Sequence, residues 1–531
     1  MRKITIIIAL LCSISAFSTR YLVQKNGTSL WNGSATGTIV TLGAAQTLNA
    51  WYSATDASLN SGDEIWLATG VYVTDGTITL KNGVSLYGGF AGTEATVGAR
   101  SKGSNAWSFT NTTTIDGNNA SRQGIITLNT NTVTSYIDGI TITKYNVTKA
   151  AGNLTGIGAS VMANWIMQNC IVTANTFTNS TDKQCRGAGV YVKGGQLLNS
   201  YIYNNSATKG TGSGSTYGGG VAFSSNATPA TVVKGCTISN NTSTVVGGGI
   251  AILDGVGGTL EDCIIQFNTN TAGQGGGLGV SSATGTGNSA FSIKNCQFIE
   301  NTSLQDGAGA ILNLATSQTT SIEGCSFIGN IATAPANGGG GLYVSGGLYS
   351  PIKNCIFRNN KIASTNGGTG KGGSAFYIGV AATVQNCIIA NNTTVANTDG
   401  TTPTHTMTFL NVGSKLLNST IVNNQTTGSG AALSLDGKVS TLTNCVFWGN
   451  TTNFYGHTNS TLTYNATDGI VITGTGNINT LTSPSTNNNT FVNPTTYIGV
   501  PSTSDGDVQK AASASADWSL KSGCLAINTG T

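Results

Sequence analysis

The sequence predicts an all-β protein, a right-handed parallel β-helix of about 30 residues per coil. Three observations predict it. The first is a recurring phrase: aliphatic, any residue, Asn or Gly, Cys, any residue, Ile or Phe, two residues, Asn. It reads IMQNCIVTAN at 166–175, VVKGCTISNN at 232–241, LEDCIIQFN at 260–268 and IKNCQFIEN at 293–301. It continues as IEGCSFIGN, IKNCIFRNN, VQNCIIANN and LTNCVFWGN up to residue 450, and LLNSYIYNN and LLNSTIVNN carry Ser in the Cys slot. The slot falls at 170, 200, 236, 263, 296, 325, 355, 387, 419 and 445, at intervals of 26 to 36 residues. The second is a glycine-led strand ahead of each phrase, such as GGGVAF at 218, GGGIAI at 247, GGGLYV at 339 and GSAFYI at 373. The third is β-type alternation within both. A repeat of this kind cannot bury a core alone and must stack on its neighbours.

In chain order, residues 1–18 read as a secretory signal. Arg2 and Lys3 precede the apolar run Ile4 to Leu11, and Ala16-Phe17-Ser18 is a small-residue cleavage site. The run is too short to span a bilayer, and no later stretch is long and apolar enough to do so. Residues 19–61 read as an N-terminal cap. GAAQTLNAWYSATD at 43–56 predicts the one notable helix, with Leu48, Trp51 and Tyr52 on one side. Such a helix would cover the open end of the stack. GDEIWLATGVYV and GVSLYGGFAG then read as the first strands of a β-helix over 62–450.

Within the phrase, Cys296 and Phe298 are two apart and share a face, but Ile293 is three before the Cys. The alternation therefore breaks at Asn295. Across the repeats that position holds Asn169, Asn199, Gly235, Asp262, Asn295, Gly324, Asn354, Asn386, Asn418 and Asn444. Asn, Gly and Asp are the residues that tolerate a left-handed backbone, so the chain turns a corner there. The Asn five residues after the slot is present in all ten copies and predicts a stacked, register-fixing ladder. Two residues before the slot, Lys234, Glu261, Lys294, Glu323 and Lys353 alternate in sign on what reads as a solvated face. After Asn450 the pattern dissolves, and 451–531 read as irregular terminal coils and a C-terminal cap.

Composition narrows the function. The net charge is +4, and only 8% of residues are charged, so no strong field exists for nucleic acid or anionic lipid. Of the 11 cysteines, eight sit in one slot that also accepts Ser200, Ser419 and, in the preceding copy, Ile140. That interchange reads as packing, with reduced, buried thiols. Cys185 and Cys524 lie outside the ladder, and nothing in the sequence pairs them.

No catalytic, metal or cofactor site is read from the residues. Nine of the 15 Asp precede Gly (Asp75, Asp116, Asp138, Asp254, Asp306, Asp399, Asp436, Asp468 and Asp505), which is turn chemistry. Asn397-Thr398-Asp399-Gly400 resembles the first motif of polygalacturonase-type hydrolases. The paired Asp that should accompany it is missing, and Gly456-His457-Thr458 lacks the second Gly of the Gly-His-Gly motif. With only His405 and His457, a histidine metal site or a Ser-His-Asp triad is not expected. Ice binding would need a regular Thr-x-Thr stripe, and the outward positions read as too mixed. The outward residues of the glycine-led strands are Tyr191, Ala222, Ala251, Gly279, Ile311, Tyr343 and Tyr377. Tyr191, Tyr343 and Tyr377 read either as a flat glycan-stacking surface or as ordinary strand residues on a solvated face.

The motifs GGGIAI and GGGLYV beside FIEN, FIGN, FRNN and FWGN resemble the repeats of chlamydial polymorphic outer membrane proteins. The ends, at 62–95 and DWSLKSGCLAINTGT at 517–531, resemble Bacteroidetes-type right-handed parallel β-helix surface proteins. The resemblance implies an exported, surface-associated protein that is adhesive or binds glycans or host molecules. No β-barrel or C-terminal sorting domain is recognised, so the anchor stays open. The alternative is a polysaccharide lyase or glycoside hydrolase, because the pectate-lyase-like solenoid hosts many such enzymes.

Overall fold

Each coil is organised by three corners. The computed structural model describes residues 18–478 apart from 28–30, 33–34, 149–151, 180–182, 212–213, 225–228, 254–256, 282–289, 315–318, 364–371, 396–403, 428, 436–437, 439 and 469–470, together with 491–493 and 517–520. The signal segment up to residue 17, Asp254, Asp399, Asp436, Asp505 and Cys524 therefore lie outside the described residues. At the first corner all ten positions read from the sequence have a positive φ, between 45° and 65°. The second corner was not legible. It falls four residues after the Cys slot, at Ala174, Asn204, Asn240, Phe267, Glu300, Gly329, Asn359, Asn391, Asn423 and Gly449, with φ between 49° and 67°. Ala, Phe and Glu there hide the pattern. The third corner is the leading glycine, as at Gly218, Gly247 and Gly275.

One coil shows the order. A lead strand, Gly258–Glu261, turns at Asp262 into the Cys strand, Ile264–Gln266. Phe267 turns the chain into a short trailing strand, Thr269–Asn270, and Gly275 turns it into the glycine strand, Leu278–Ser281. Every strand pairs in parallel with its counterpart in the next coil. The result is a lead sheet of 16 strands, a Cys sheet of 14, a trailing sheet of 10 and a glycine sheet of 13. This is a parallel β-helix.

Buried asparagines fix the register. The side chains of Asn175, Asn205, Asn241, Asn268, Asn301, Asn330, Asn360, Asn392, Asn424 and Asn450 are joined by nine Nδ2-to-Oδ1 bonds of 2.9–3.1 Å. From Asn205 onward each Oδ1 accepts a second bond from the backbone N–H of the preceding Asn, as Asn301 does from Asn268 at 3.0 Å, and Asn175 Oδ1 accepts from Tyr145 N at 3.1 Å. Each bond is worth a net ~0.5–1.5 kcal/mol, and a broken rung would leave buried amides unpaired. Beside this ladder Phe298, Phe327 and Phe357 stack in the core at 4.8 and 4.9 Å.

The Cys slot points inward, and the nine described cysteines are free and buried. The thiols do more than fill space. Cys296 Sγ donates to Lys294 O at 3.2 Å, and Ser200 Oγ makes the same bond to Leu198 O at 2.8 Å. Cys and Ser exchange because both are small and both can donate to the corner carbonyl. Cys185 is buried in the core as well, on a side strand paired with Leu154–Thr155. The solvated charges pair across rungs, Lys234 with Glu261 at 3.2 Å and Lys353 with Glu323 at 3.0 Å.

The α-helix α1 spans Leu48–Thr55, with Thr47 as its N-cap. Leu48, Trp51 and Tyr52 are buried against the first coil, as their spacing implied. The 19–61 segment is more than a lid, which corrects the reading that strands begin at 62. Arg20–Lys25 and Thr38–Leu42 add two parallel strands to the lead sheet. Val23 faces the core, while Leu22 packs on the outside against Trp31 and Trp66. Beyond 450 the lead, Cys and glycine sheets each gain one more short strand, at Thr461–Thr463, Ala466–Thr467 and Phe454–Tyr455. Strand Asp517–Leu520 pairs antiparallel with Phe491–Asn493 and lies against Ile388–Ala390 and Thr420–Val422. Ala390 and Val422 are fully buried in an apolar cluster on that outer face, with Val446 and Trp448.

Asn295→Val is expected to lower stability by roughly 1–2 kcal/mol, because a β-branched residue must hold the left-handed corner. An unchanged denaturant midpoint would refute the corner's role.

Burial pushes the Cys170 and Cys445 thiols up to about 12 from their ordinary 9.0. A raised thiol contributes stability that is complete below the unfolded value and is lost as pH climbs towards the folded one. The unfolding midpoint should therefore fall steadily above pH 9. Alkylation without reductant should label Cys296, Cys325 and Cys355 once the chain is unfolded, and recovery of any of them as a disulfide would contradict the free ladder.

Candidate functional site

The three tyrosines read from the sequence point away from the main core, but solvent does not reach them as expected. Tyr191 is 3% exposed and Tyr377 7%, and Tyr343 is half-buried. Tyr343 and Tyr377 stack on each other at 5.1 Å. The glycine corner explains the burial of Tyr191. At positive φ it folds the preceding residues back over the outer face, so Tyr217 and Val246 pack on Tyr191, Ala222 and Ala251. A Cβ on Gly279 would lie 2.5 Å from Val246 Cγ1, so the face has no room for a ligand there.

The carboxylates are occupied by structure. Asp75 accepts from Thr47 Oγ1 at 2.8 Å, and Asp116 from Asn118 N and Lys144 Nζ at 2.7 and 2.8 Å. Asp306 accepts the backbone N–H of Asn337 and Gly338, each at 2.8 Å. Asp468 accepts from Gly449 N at 2.6 Å; burial raises its pKa, with the backbone bond pulling it back down. Asp138 forms a fully buried ion pair with Arg100 at 3.1 Å. Among the described residues no group of three or more His, Cys, Asp or Glu is placed to hold a metal ion. His405 is buried, its Nδ1 accepting from Ala431 N at 3.1 Å.

The outer face of the Cys sheet has a different character. Its outward pairs are Thr141 and Thr143, Ile171 and Thr173, Tyr201 and Tyr203, Thr237 and Ser239, Ile264 and Gln266, Gln297 and Ile299, and Ser326 and Ile328. Over these seven rungs no outward residue is charged. Tyr201 and Tyr203 stack at 4.3 Å, and Trp107 packs on Tyr201 at 5.6 Å. Trp107 belongs to an excursion, 91–112, between the strands Ser85–Phe90 and Thr113–Asp116. Arg100 clamps that excursion. Besides Asp138 it donates to Gly88 O at 2.7 Å and lies 4.7 Å from the Phe109 ring centre. Two rungs beyond Tyr203, Phe267 occupies a corner at φ 55° and is 42% exposed. Tyr201-Ile202-Tyr203 could have been found from the sequence, because two-residue spacing on the Cys strand places both rings outside. Trp107 could not, because a long excursion brings it there.

The trailing sheet corrects one further expectation. The outward positions are too mixed for ice binding on the other faces, but here Thr176-x-Thr178, Ser206-x-Thr208, Thr242-x-Thr244 and Thr269-x-Thr271 stand on consecutive coils. The short strands after the Asn ladder were not separated from the loops in the sequence, which hid the stripe.

No protein-family model and no curated protein matches this chain. Among solved structures it is similar to the A-module of the Azotobacter vinelandii mannuronan C-5 epimerase AlgE6, at 14% identity over 80% of this chain and 95% of that one, TM-score 0.36. It is similar to pectate lyase Pel9A at 13% identity over 97% and 92%, TM-score 0.33. It is also similar to the catalytic domain of a GH87 α-1,3-glucanase at 14% identity over 85% and 70%, TM-score 0.38.

Proposed function

We propose that this is an exported, non-enzymatic β-helix protein of the cell surface or medium that binds glycans. One observation carries the reading. The described Asp-Gly carboxylates, which a lyase or hydrolase would need free and clustered, are each held by a structural partner, as Asp138 is by Arg100. The basic start and apolar run at 1–18 support export, and the motif resemblance supports a surface location. Incubation with pectins, alginate and glycosaminoglycans, with and without calcium, is expected to give neither unsaturated uronate nor new reducing ends. Either product would favour the polysaccharide-degrading alternative.

A second reading, ice binding, is favoured by the Thr-x-Thr array of the trailing sheet. Hydroxyl and methyl groups recur there at the strand spacing of about 4.8 Å in one direction and every second residue in the other, a lattice that can order water. Under this reading the protein produces thermal hysteresis that Thr208→Tyr abolishes. No hysteresis in the unmodified chain would remove the reading.

A further inference from the structure

We infer that the outer face of the Cys sheet from Thr173 to Phe267 is a binding site for a neutral, extended β-1,4-linked polysaccharide, with Tyr203 and Phe267 as its stacking rings. The inference rests on the glycan-binding reading above and names its site and ligand class.

Phe267 is the key observation. Of the other nine positions at this corner, seven are Asn or Gly, which tolerate φ near 55°, and the remaining two, Ala174 and Glu300, carry no ring. Phe tolerates it poorly, and at 42% exposure this side chain leaves much of its ring in water. It therefore carries backbone strain without the burial that would offset it. A bulky residue held in the left-handed region on an open face points to use rather than packing.

The surroundings fit a sugar chain. Tyr203 lies on the same face, two rungs before Gln266 in the register Tyr203–Ser239–Gln266. Two rungs span about 9.6 Å, close to the length of a disaccharide in an extended β-1,4-linked chain, so the two rings can meet alternate sugars. Tyr201 and Trp107 back the Tyr203 ring. Between the rings lie buried Ser239, which accepts from Asn240 Nδ2 at 2.8 Å, half-buried Gln266 and exposed Asn204 and Asn240, and the last three are uncharged partners for sugar hydroxyls. The nearest corner charges at this stretch, Lys144 and Asp262, are tied in ion pairs with Asp116 and Lys234, and Glu300 stands one rung beyond Phe267. Such a face favours a neutral polymer over a uronate chain.

The test is affinity electrophoresis of the full chain in gels containing hydroxyethylcellulose, glucomannan or arabinoxylan, with alginate and polygalacturonate as anionic controls. Retardation is expected in at least one neutral gel, with titration of cellohexaose or its mannan or xylan counterpart giving the affinity. Phe267→Asn should reduce that affinity at least tenfold while leaving the unfolding midpoint equal or higher, since Asn relieves the strain. Tyr203→Thr should weaken it similarly. Retained affinity in Phe267→Asn, retardation only by the anionic polymers, or no retardation by any neutral polymer would overturn the site. Release of reducing ends from a bound polymer would overturn the non-enzymatic reading alone, and the Phe267→Asn comparison would still judge the site.

Discussion

The structure depends on the buried asparagine ladder and the left-handed corner that precedes each of its members. Nine side-chain bonds run from Asn175 to Asn450, and from Asn205 onward each carboxamide oxygen is shared between the neighbour's side chain and backbone. A rung that slipped by one residue would strand buried amides in an apolar core. The ladder therefore sets the register between coils, and register decides which residues share a face. Coil lengths vary from 26 to 36 residues, yet the Cys and glycine strands stay aligned, because the extra residues go into loops between the fixed corners.

A fixed register turns each sequence position into a column. Inward columns become stacks, such as the thiols, the asparagines and Phe298, Phe327 and Phe357. Outward columns become stretches of shared chemistry over several rungs: alternating charge on the lead sheet from Lys234 to Lys353, uncharged residues on the Cys sheet from Thr141 to Ile328, and hydroxyls on the trailing sheet from Thr176 to Thr271. The same corner that permits stacking imposes a left-handed backbone on whatever residue occupies it. Asn and Gly accept this cheaply, whereas Phe267 and Glu300 do not. Departures from the cheap residue are therefore informative in a repeat of this kind.

The glycine corner acts in the opposite direction. It folds the approaching chain over the outer face of the glycine sheet, so residues that alternate outward become a second, smaller core. Tyr191 is buried for that reason. Alternation identifies the side of the sheet a residue lies on, but not whether another segment covers that side.

The spacing of the Cys phrase determined the coil length, the first corner, the asparagine ladder and the inward thiols, because each depends on residue types repeated at fixed offsets along the chain. The helix over Leu48, Trp51 and Tyr52 was legible for the same reason, since its periodicity is local. The second corner was masked by Ala174, Phe267 and Glu300, where the backbone need is set by the ladder rather than by the residue. The occupied carboxylates, the covered tyrosines and the meeting of Trp107 with Tyr201 were decided only in the tertiary structure. They depend on where loops of unequal length come to rest on the solenoid, and no periodic signal encodes the path of a loop.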